Sequence, residues 1–332
     1  MTEFKKVKII AGWLGMAGRD EFFNEYEHPS CGLNVYLQKL VLEFEKLKVD
    51  EEIEIHFNVQ FSISKNKKYL ILLENPAIRP QNKLLLPNVY SKIFSWDKRL
   101  SKLEHFVYTR YPHDPSLGST NDIKNTRYSM VCSNRNLLIG KECDSLYNKR
   151  QEVIDYANKN RTIDFVLYGT GWNMRNIKLG LVDRILMALH SKNMISLKRS
   201  SKLPFYKGHC DDKFSLLRCS VFNFCFENIS NYPGYISEKI WDSIFSGSIP
   251  VYWPSWEIPN DELPKDIYVD ASKYNSISEL FDYLEQISDE EIKNWRQRLK
   301  VFAKQQKKII SVSKYVETII SEVKKDLRYP HI

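Results

Sequence analysis

Residues 222–253 read FNFCFENISNYPGYISEKIWDSIFSGSIPVYW. Phe222, Phe224 and Phe226 alternate with Asn223 and Cys225, which is the two-residue period of a strand in a buried sheet. Glu227 and Asn228 end the apolar run. Ser230 to Gly234 contains Asn, Pro and Gly and reads as a loop. Ile236, Ile240 and Ile244 then recur every four residues, the spacing of one helix face, and Gly247 closes that helix. Ile249, Val251 and Trp253 alternate again. Strand, loop, helix and strand make a βαβ unit, whose crossover is nearly always right-handed. Ligands of such sheets bind beyond the carboxyl ends of the strands. That position holds Glu227, Asn228, Tyr235, Ser237, Glu238 and Lys239, at the first turn of a helix whose free N–H groups favour an anion. A phosphate or a sugar hydroxyl suits these groups.

Outward from this unit the same style repeats. Upstream, Tyr128–Cys132 and Ile163–Tyr168 read as strands, and 146–159, 181–190 and 211–220 as helices. Downstream come a short strand at 267–269, a helix at 276–286 and a long basic helical stretch to the C-terminus. The first half has strands at 7–11, 53–57, 69–73 and 105–110, with a helix at 33–47 whose Leu33, Leu37, Leu40, Phe44 and Leu47 share a face. The segment YPHDPSLGSTNDIKN is rich in Pro, Gly, Ser and Asn, which puts a domain boundary near Ser116–Lys124. The expected organisation is α/β, with one Rossmann-like domain over 1–120, a second over 121–305 and a basic amphipathic helix over 306–332. Two such domains would form a cleft between their strand ends.

The 332 residues, 43% hydrophobic and 27% charged, suffice for two domains with ordinary cores. No apolar run is long enough to span a bilayer. The start, MTEFKKVKIIAGW, turns from lysines directly into a strand, so a signal peptide is not expected and the expected location is cytoplasmic. The six cysteines follow no metal or disulfide spacing, and reduced thiols fit that compartment. The net charge of +8 is uneven, because residues 291–332 hold eleven Lys and Arg against four Asp and Glu. No nucleic-acid-binding module accompanies this excess, so nucleic acid is not an expected partner. The C-terminal stretch has two readings: it packs on the protein and shows lysines to solvent, or it also touches an anionic membrane surface.

Several further groups point to the same strand ends. Gly169-Thr170-Gly171-Trp172 follows a strand and would let the backbone approach a nucleotide, but with the full dinucleotide fingerprint and the Walker phosphate loop both absent a plain tight turn is the favoured reading. Ser133 and Asn134 end another strand. Arg150, on the helix that follows, offers a guanidinium suited to bidentate phosphate contacts, or is simply one of a solvated Lys149-Arg150 pair. Glu238 complements the helix dipole at its turn, whereas Lys239 is disfavoured there by the same dipole. Glu74, where the apolar run YLILL meets Asn75-Pro76, is a candidate general base, or a solvated carboxylate. No Asp-x-Asp occurs and the histidines are isolated, so metal chemistry is not expected.

The stretch 222–253 resembles the signature of the α-1,3/4-fucosyltransferase family, approximately F-x-F-x-F-E-N-S/T, then G-Y-V/I-T-E-K-I/L, then a small residue and P-V/I-Y. The resemblance extends through VCSN, the helix bearing Arg150, DFVLYGTGW and FYKG, covering most of 126–271. LLEN at 72–75 is similar to the element carrying the family's proposed base. The resemblance implies a GT-B type fold, an inverting mechanism and a GDP-fucose donor held without an essential metal or other cofactor. It implies Arg150 and Lys239 as diphosphate ligands, Tyr235, Ser237 and Glu238 as nucleotide or sugar contacts, and Glu74 as the catalytic base. The acceptor would be an oligosaccharide or glycolipid, such as a capsule or lipopolysaccharide-type glycan. Ile229, Ser237 and Trp253-Pro254 depart from the pattern, which leaves another GDP-linked deoxy sugar or heptose open as the donor. A noncatalytic nucleotide- or glycan-binding protein is the reading of another class.

Overall fold

The structure is a computed structural model that describes residues 6–10, 33–77, 79–113, 126–134, 145–174 and 203–328, with isolated positions between 185 and 194. The expected helix at 181–190 and the linker at 116–124 lie outside the described residues or nearly so. The chain divides into two compact units. Unit 1 comprises residues 1–114, 233–235 and 307–332, and unit 2 comprises 115–232 and 236–306.

Unit 1 contains β1 (Val7–Ile10), α1 (Leu33–Glu45), β2 (Ile53–Phe57), β3 (Lys67–Leu72), β4 (Lys92–Ser95) and β5 (Phe106–Tyr108). All five strands are parallel, in the order β1-β2-β3-β4-β5. Tyr69, Ile71 and Leu73 point to one face, where α1 contributes Leu40, Val41 and Phe44 to a common core. Leu70 and Leu72 point to the other face and meet Tyr90 and Ile93 in a smaller cluster. The continuous apolar run YLILL is thus a strand buried on both sides, as parallel strands are. Strand β4 was not anticipated from the sequence: KIFS is short, and only its pairing with Tyr69–Leu72 and Phe106–Tyr108 makes it a strand.

Unit 2 contains β6 (Thr126–Val131), α2 (Tyr147–Lys159), β7 (Phe165–Tyr168), α3 (Lys213–Arg218), β8 (Ser220–Phe224), α4 (Glu238–Ser246), β9 (Ile249–Tyr252), β10 (Val269–Asp270), α5 (Ile277–Gln286) and α6 (Asp289–Gln306). Its sheet is also parallel, in the order β10-β9-β8-β6-β7. The alternation in FNFCF has the expected result. Phe222 and Phe224 join Tyr128, Tyr156 and Phe281 on one face. Asn223 donates to the Ser243 hydroxyl of α4 on the other, at 2.6 Å. Gly247 ends α4 with φ of 70°, a left-handed cap.

The basic C-terminal stretch is two helices. Helix α6 belongs to unit 2, and α7 (Val312–Arg328) returns to unit 1. There Val312, Tyr315, Val316, Ile319, Ile320 and Val323 enter the same core as α1. Asp326 fixes the register: it accepts from Tyr69 Oη at 2.8 Å and pairs with Lys67 at 2.9 Å. The apolar face of this amphipathic helix is therefore occupied by protein.

Candidate active site

In unit 2 the chain runs from β6 to β7 on one side and then crosses to β8 on the other, so strand order reverses between β6 and β8. A parallel sheet opens a crevice at such a switch point, beyond the carboxyl ends of its strands. A pocket lies there, lined by Cys132 after β6, by Cys225 and Phe226 after β8, and by Arg150, Lys213 and Lys239.

Glu227 follows Phe226 of this lining and bonds Lys239. It is fully buried, and its carboxylate accepts from Ser237 N at 2.9 Å, Ser237 Oγ at 2.8 Å and Tyr252 Oη at 2.9 Å, with Lys239 Nζ at 3.4 Å. A buried charge persists only where it is paired and hydrogen-bonded, and this one has both. Its effect is to fix the start of α4. Ser237 stands at the N-cap but makes no side-chain bond to the helix, because its hydroxyl is turned to Glu227. The first-turn N–H groups of α4 consequently lack the side-chain cap that a serine there ordinarily supplies. Lys239 is held over this turn by Ser237 Oγ at 2.8 Å and Glu238 at 3.4 Å. Burial pushes the Glu238 carboxyl up, but the charges of Lys239 and Lys213 prevail and hold it below the usual range. This end of α4 thus favours an anion.

Arg150 projects from α2 to the same lining, buried rather than solvated. Its Nη2 donates to Phe226 O at 2.7 Å, Glu227 O at 2.8 Å and Asn228 Oδ1 at 2.8 Å, and its plane lies over the Tyr147 ring. The arginine therefore ties down the backbone that carries Glu227. Ile229, the departure from the fucosyltransferase pattern, is fully buried and bridges to Ser145.

The second pair of loops is equally tight. Thr170 Oγ1 donates to Ser133 Oγ at 3.0 Å, Asn134 N to Thr170 O at 2.8 Å, and Asn134 Nδ2 to Gly171 O at 2.9 Å. Gly169 has φ of 128°, and a Cβ there would lie 1.9 Å from Cys132 O. The turn reading of GTGW is thus correct locally, and the turn it describes joins the ends of β6 and β7. Burial pushes the Cys225 thiol up to about 12 and that of Cys132 to about 11, so the pocket's thiols stay protonated and are poor nucleophiles.

Glu74 and Tyr235 belong to unit 1. Asn58, at φ of 60°, accepts through Oδ1 from Leu73 N at 3.2 Å, Glu74 N at 3.1 Å and Asn82 Nδ2 at 3.0 Å. Asn82 Nδ2 also donates to Glu74 O at 2.7 Å. Trp96 Nε1 donates to Leu73 O at 3.0 Å, and the Trp96 ring lies against Tyr235 at 4.7 Å. Beside it Lys98 N donates to Pro233 O at 3.0 Å, and a Cβ on Gly234 would lie 2.0 Å from Trp96 O. The backbone of Glu74 is thus clamped on both sides, and Tyr235 is seated on the same tryptophan.

A model of "Glycosyltransferase family 10 (fucosyltransferase) C-term" matches residues 148–329, more than half the chain. The chain belongs to glycosyltransferase family 10. It is similar to the alpha-(1,3)-fucosyltransferase FucT of Helicobacter pylori, 43% identical over 63 residues, which are 19% of this chain and 13% of that protein. It is also similar to human 4-galactosyl-N-acetylglucosaminide 3-alpha-L-fucosyltransferase 9, 39% identical over 67 residues, 20% of this chain and 18% of that one. These matches therefore span under a fifth of either relative. A solved alpha1,3-fucosyltransferase aligns over 98% of this chain and 90% of its own, with a TM-score of 0.52 at 14% identity. A solved alpha1,3-fucosyltransferase with GDP aligns with a TM-score of 0.51 at 13% identity, covering 98% of this chain and 90% of that one. The likeness shows the fold, two parallel-sheet units of GT-B type.

Within this family 10 chain, sequence reasoning missed the residues that support the site. Lys213 lines the pocket and pairs closely with Asp242 of α4, and although burial opposes its charge, Asp242 and Glu238 hold its pKa above the usual value. In sequence it was one residue of a helix start. Asn58 and Trp96 carried no motif, and Tyr252, the tyrosine of the P-V/I-Y element, had no role read for it; the bonds to Glu74 N, Leu73 O and Glu227 reveal them.

Proposed function

We propose that this protein transfers fucose from GDP-fucose to a hydroxyl of a surface-glycan acceptor, with inversion at the anomeric carbon. The observation that carries the reading is the start of α4, where Lys239 overlies a helix N-terminus left without its serine cap and braced by Glu227. A departing GDP develops charge on its diphosphate, and fixed cations with oriented N–H groups stabilise that charge in the transition state. Lys239 does this directly in our reading. Arg150 contributes its charge while holding the 226–228 backbone, and Ser133, Asn134, Gly169, Thr170, Asn228, Ser237 and Glu238 contact the nucleotide or the sugar. Glu227 positions rather than touches the donor. With these cations in place a divalent metal is not essential.

Glu74 serves as general base, taking the acceptor's proton as its oxygen attacks the anomeric carbon. Tyr235 contributes to donor recognition from its seat on Trp96. The acceptor is read as an oligosaccharide or glycolipid precursor of a capsule or lipopolysaccharide-type glycan on the cytoplasmic side. A screen of GDP-fucose, GDP-mannose and other GDP-linked deoxy sugars, with mass detection of the transferred sugar, tests the assignment. An added mass of one deoxyhexose from GDP-fucose alone is expected. Transfer from another donor in preference would replace fucose, and turnover unaffected by Glu74→Ala would remove the base.

A further inference from the structure

The two faces of the unit 1 sheet are covered differently. Helices α1 and α7 cover one. On the other, the described connections are 58–66, which returns from β2 to β3, 73–91, from β3 to β4, and 96–105, from β4 to β5. None of these holds an α-helix, and 58–66 is shorter than the dozen or so residues that a parallel crossover usually takes. Among the described residues this cover buries a small cluster: Leu70, Leu72, Tyr90 and Ile93, with Val59, Leu85, Leu100 and Leu103 against it.

Four large apolar side chains of these connections point outward. Phe61 is 80% exposed, Ile63 88%, Leu84 71% and Leu86 67%. Hydrogen bonds put them on neighbouring segments, because Val59 N donates to Asn82 Oδ1 at 2.9 Å and Tyr90 Oη to Gln60 O at 3.5 Å. Isolated exposed leucines are ordinary, but adjacent loops that each present bulky apolar groups mark an interaction surface. Charge says which kind. The three connections carry Lys65, Arg79, Lys83, Lys98, Arg99 and Lys102 against Glu74, Asp97 and Glu104. Asp97 is spent on Arg99, and Lys65, Lys83 and Lys102 are exposed.

We infer that this face of unit 1 docks on an anionic lipid surface, inserting Phe61, Ile63, Leu84 and Leu86 among the acyl chains while Lys65, Lys83 and Lys102 meet the headgroups. Apolar insertion and electrostatic attraction add, and each is weak alone. The exposed apolar side chains are aliphatic or phenyl, and the exposed charges named with them, Lys65, Lys83 and Lys102, are basic. The inference does not depend on which sugar is transferred. It moves the lipid contact away from the C-terminal helix, whose apolar face is buried in unit 1.

Cosedimentation of the full chain with vesicles of phosphatidylcholine, with and without phosphatidylglycerol, tests it. Binding is expected with phosphatidylglycerol, weakening as salt rises. The double variant F61S/I63S should lower the partition about tenfold or more, as loss of two buried apolar side chains requires. K65E/K83E should abolish the preference for phosphatidylglycerol. Both variants should unfold at the wild-type temperature, since the altered groups are exposed. The inference is overturned if the wild type binds neither vesicle, including the case where it instead self-associates through this face in sedimentation equilibrium. It is also overturned if F61S/I63S binds as the wild type does while K307E/K308E does not.

Discussion

At the scale of single residues, Glu227 and Lys239 illustrate how charge is divided between holding a site and using it. Glu227 is fully buried with four donors around it, whereas the Lys239 side chain keeps 20% exposure at the pocket. Glu227→Ala should strand Tyr252 Oη, Ser237 and Lys239 and cost about 3–5 kcal/mol of stability, read by denaturant unfolding. Lys239→Ala should leave stability within about 1 kcal/mol and weaken GDP binding by tenfold or more, the worth of one charge-assisted bond. The reverse pattern would exchange their roles. Asn58 permits a finer test. Asn58→Gly keeps the left-handed backbone but removes the acceptor shared by Leu73 N and Glu74 N, while Asn58→Asp retains an acceptor. If Glu74 is the base, the glycine variant should lose kcat with little change in the KM for the donor, and the aspartate variant should recover much of it. Equal loss of kcat in both variants would rule out this positioning.

Among elements, the opening strand, loop, helix and strand were legible because each obeys a local rule: alternation in FNFCF, turn residues in SNYPG, four-residue spacing in α4 and a glycine stop. The support for the site was less legible, because it depends on contacts distant in sequence. Arg150 reaches carbonyls at 226 and 227, and nothing in helix α2 announces which way it points. The glycines show the same division. Gly169 and Gly208 both have positive φ, yet a Cβ meets Cys132 O at 1.9 Å in the first and nothing within 4 Å in the second. Gly208→Ala should therefore cost about 1 kcal/mol, for backbone strain alone. Gly169→Ala should cost several times that, separating the loops that carry Ser133 and Thr170, and should weaken GDP binding as well. Similar unfolding midpoints for the two variants would show that the close approach is unimportant.

For the whole molecule, the periodicity of 312–328 shows an apolar face but not the surface that receives it. The answer lies in a strand more than 250 residues earlier in the chain, through Asp326 with Tyr69 and Lys67. Six buried apolar side chains of α7, at about 1.5–3 kcal/mol each, are comparable to the whole stability of a typical domain. A chain ending at residue 306 should therefore lose the cooperative unfolding of unit 1 while unit 2 keeps its own transition, which calorimetric unfolding would resolve. A single unchanged transition would contradict the assignment of α7 to the unit 1 core. The central claim concerns unit 2, that its pocket holds a GDP-sugar through Lys239 without a metal. Isothermal titration of GDP-fucose into the full chain in EDTA tests it most directly. The account predicts one site per chain, competed by GDP and weakened by tenfold or more in Lys239→Ala; no binding of GDP or GDP-fucose by the wild type would contradict it.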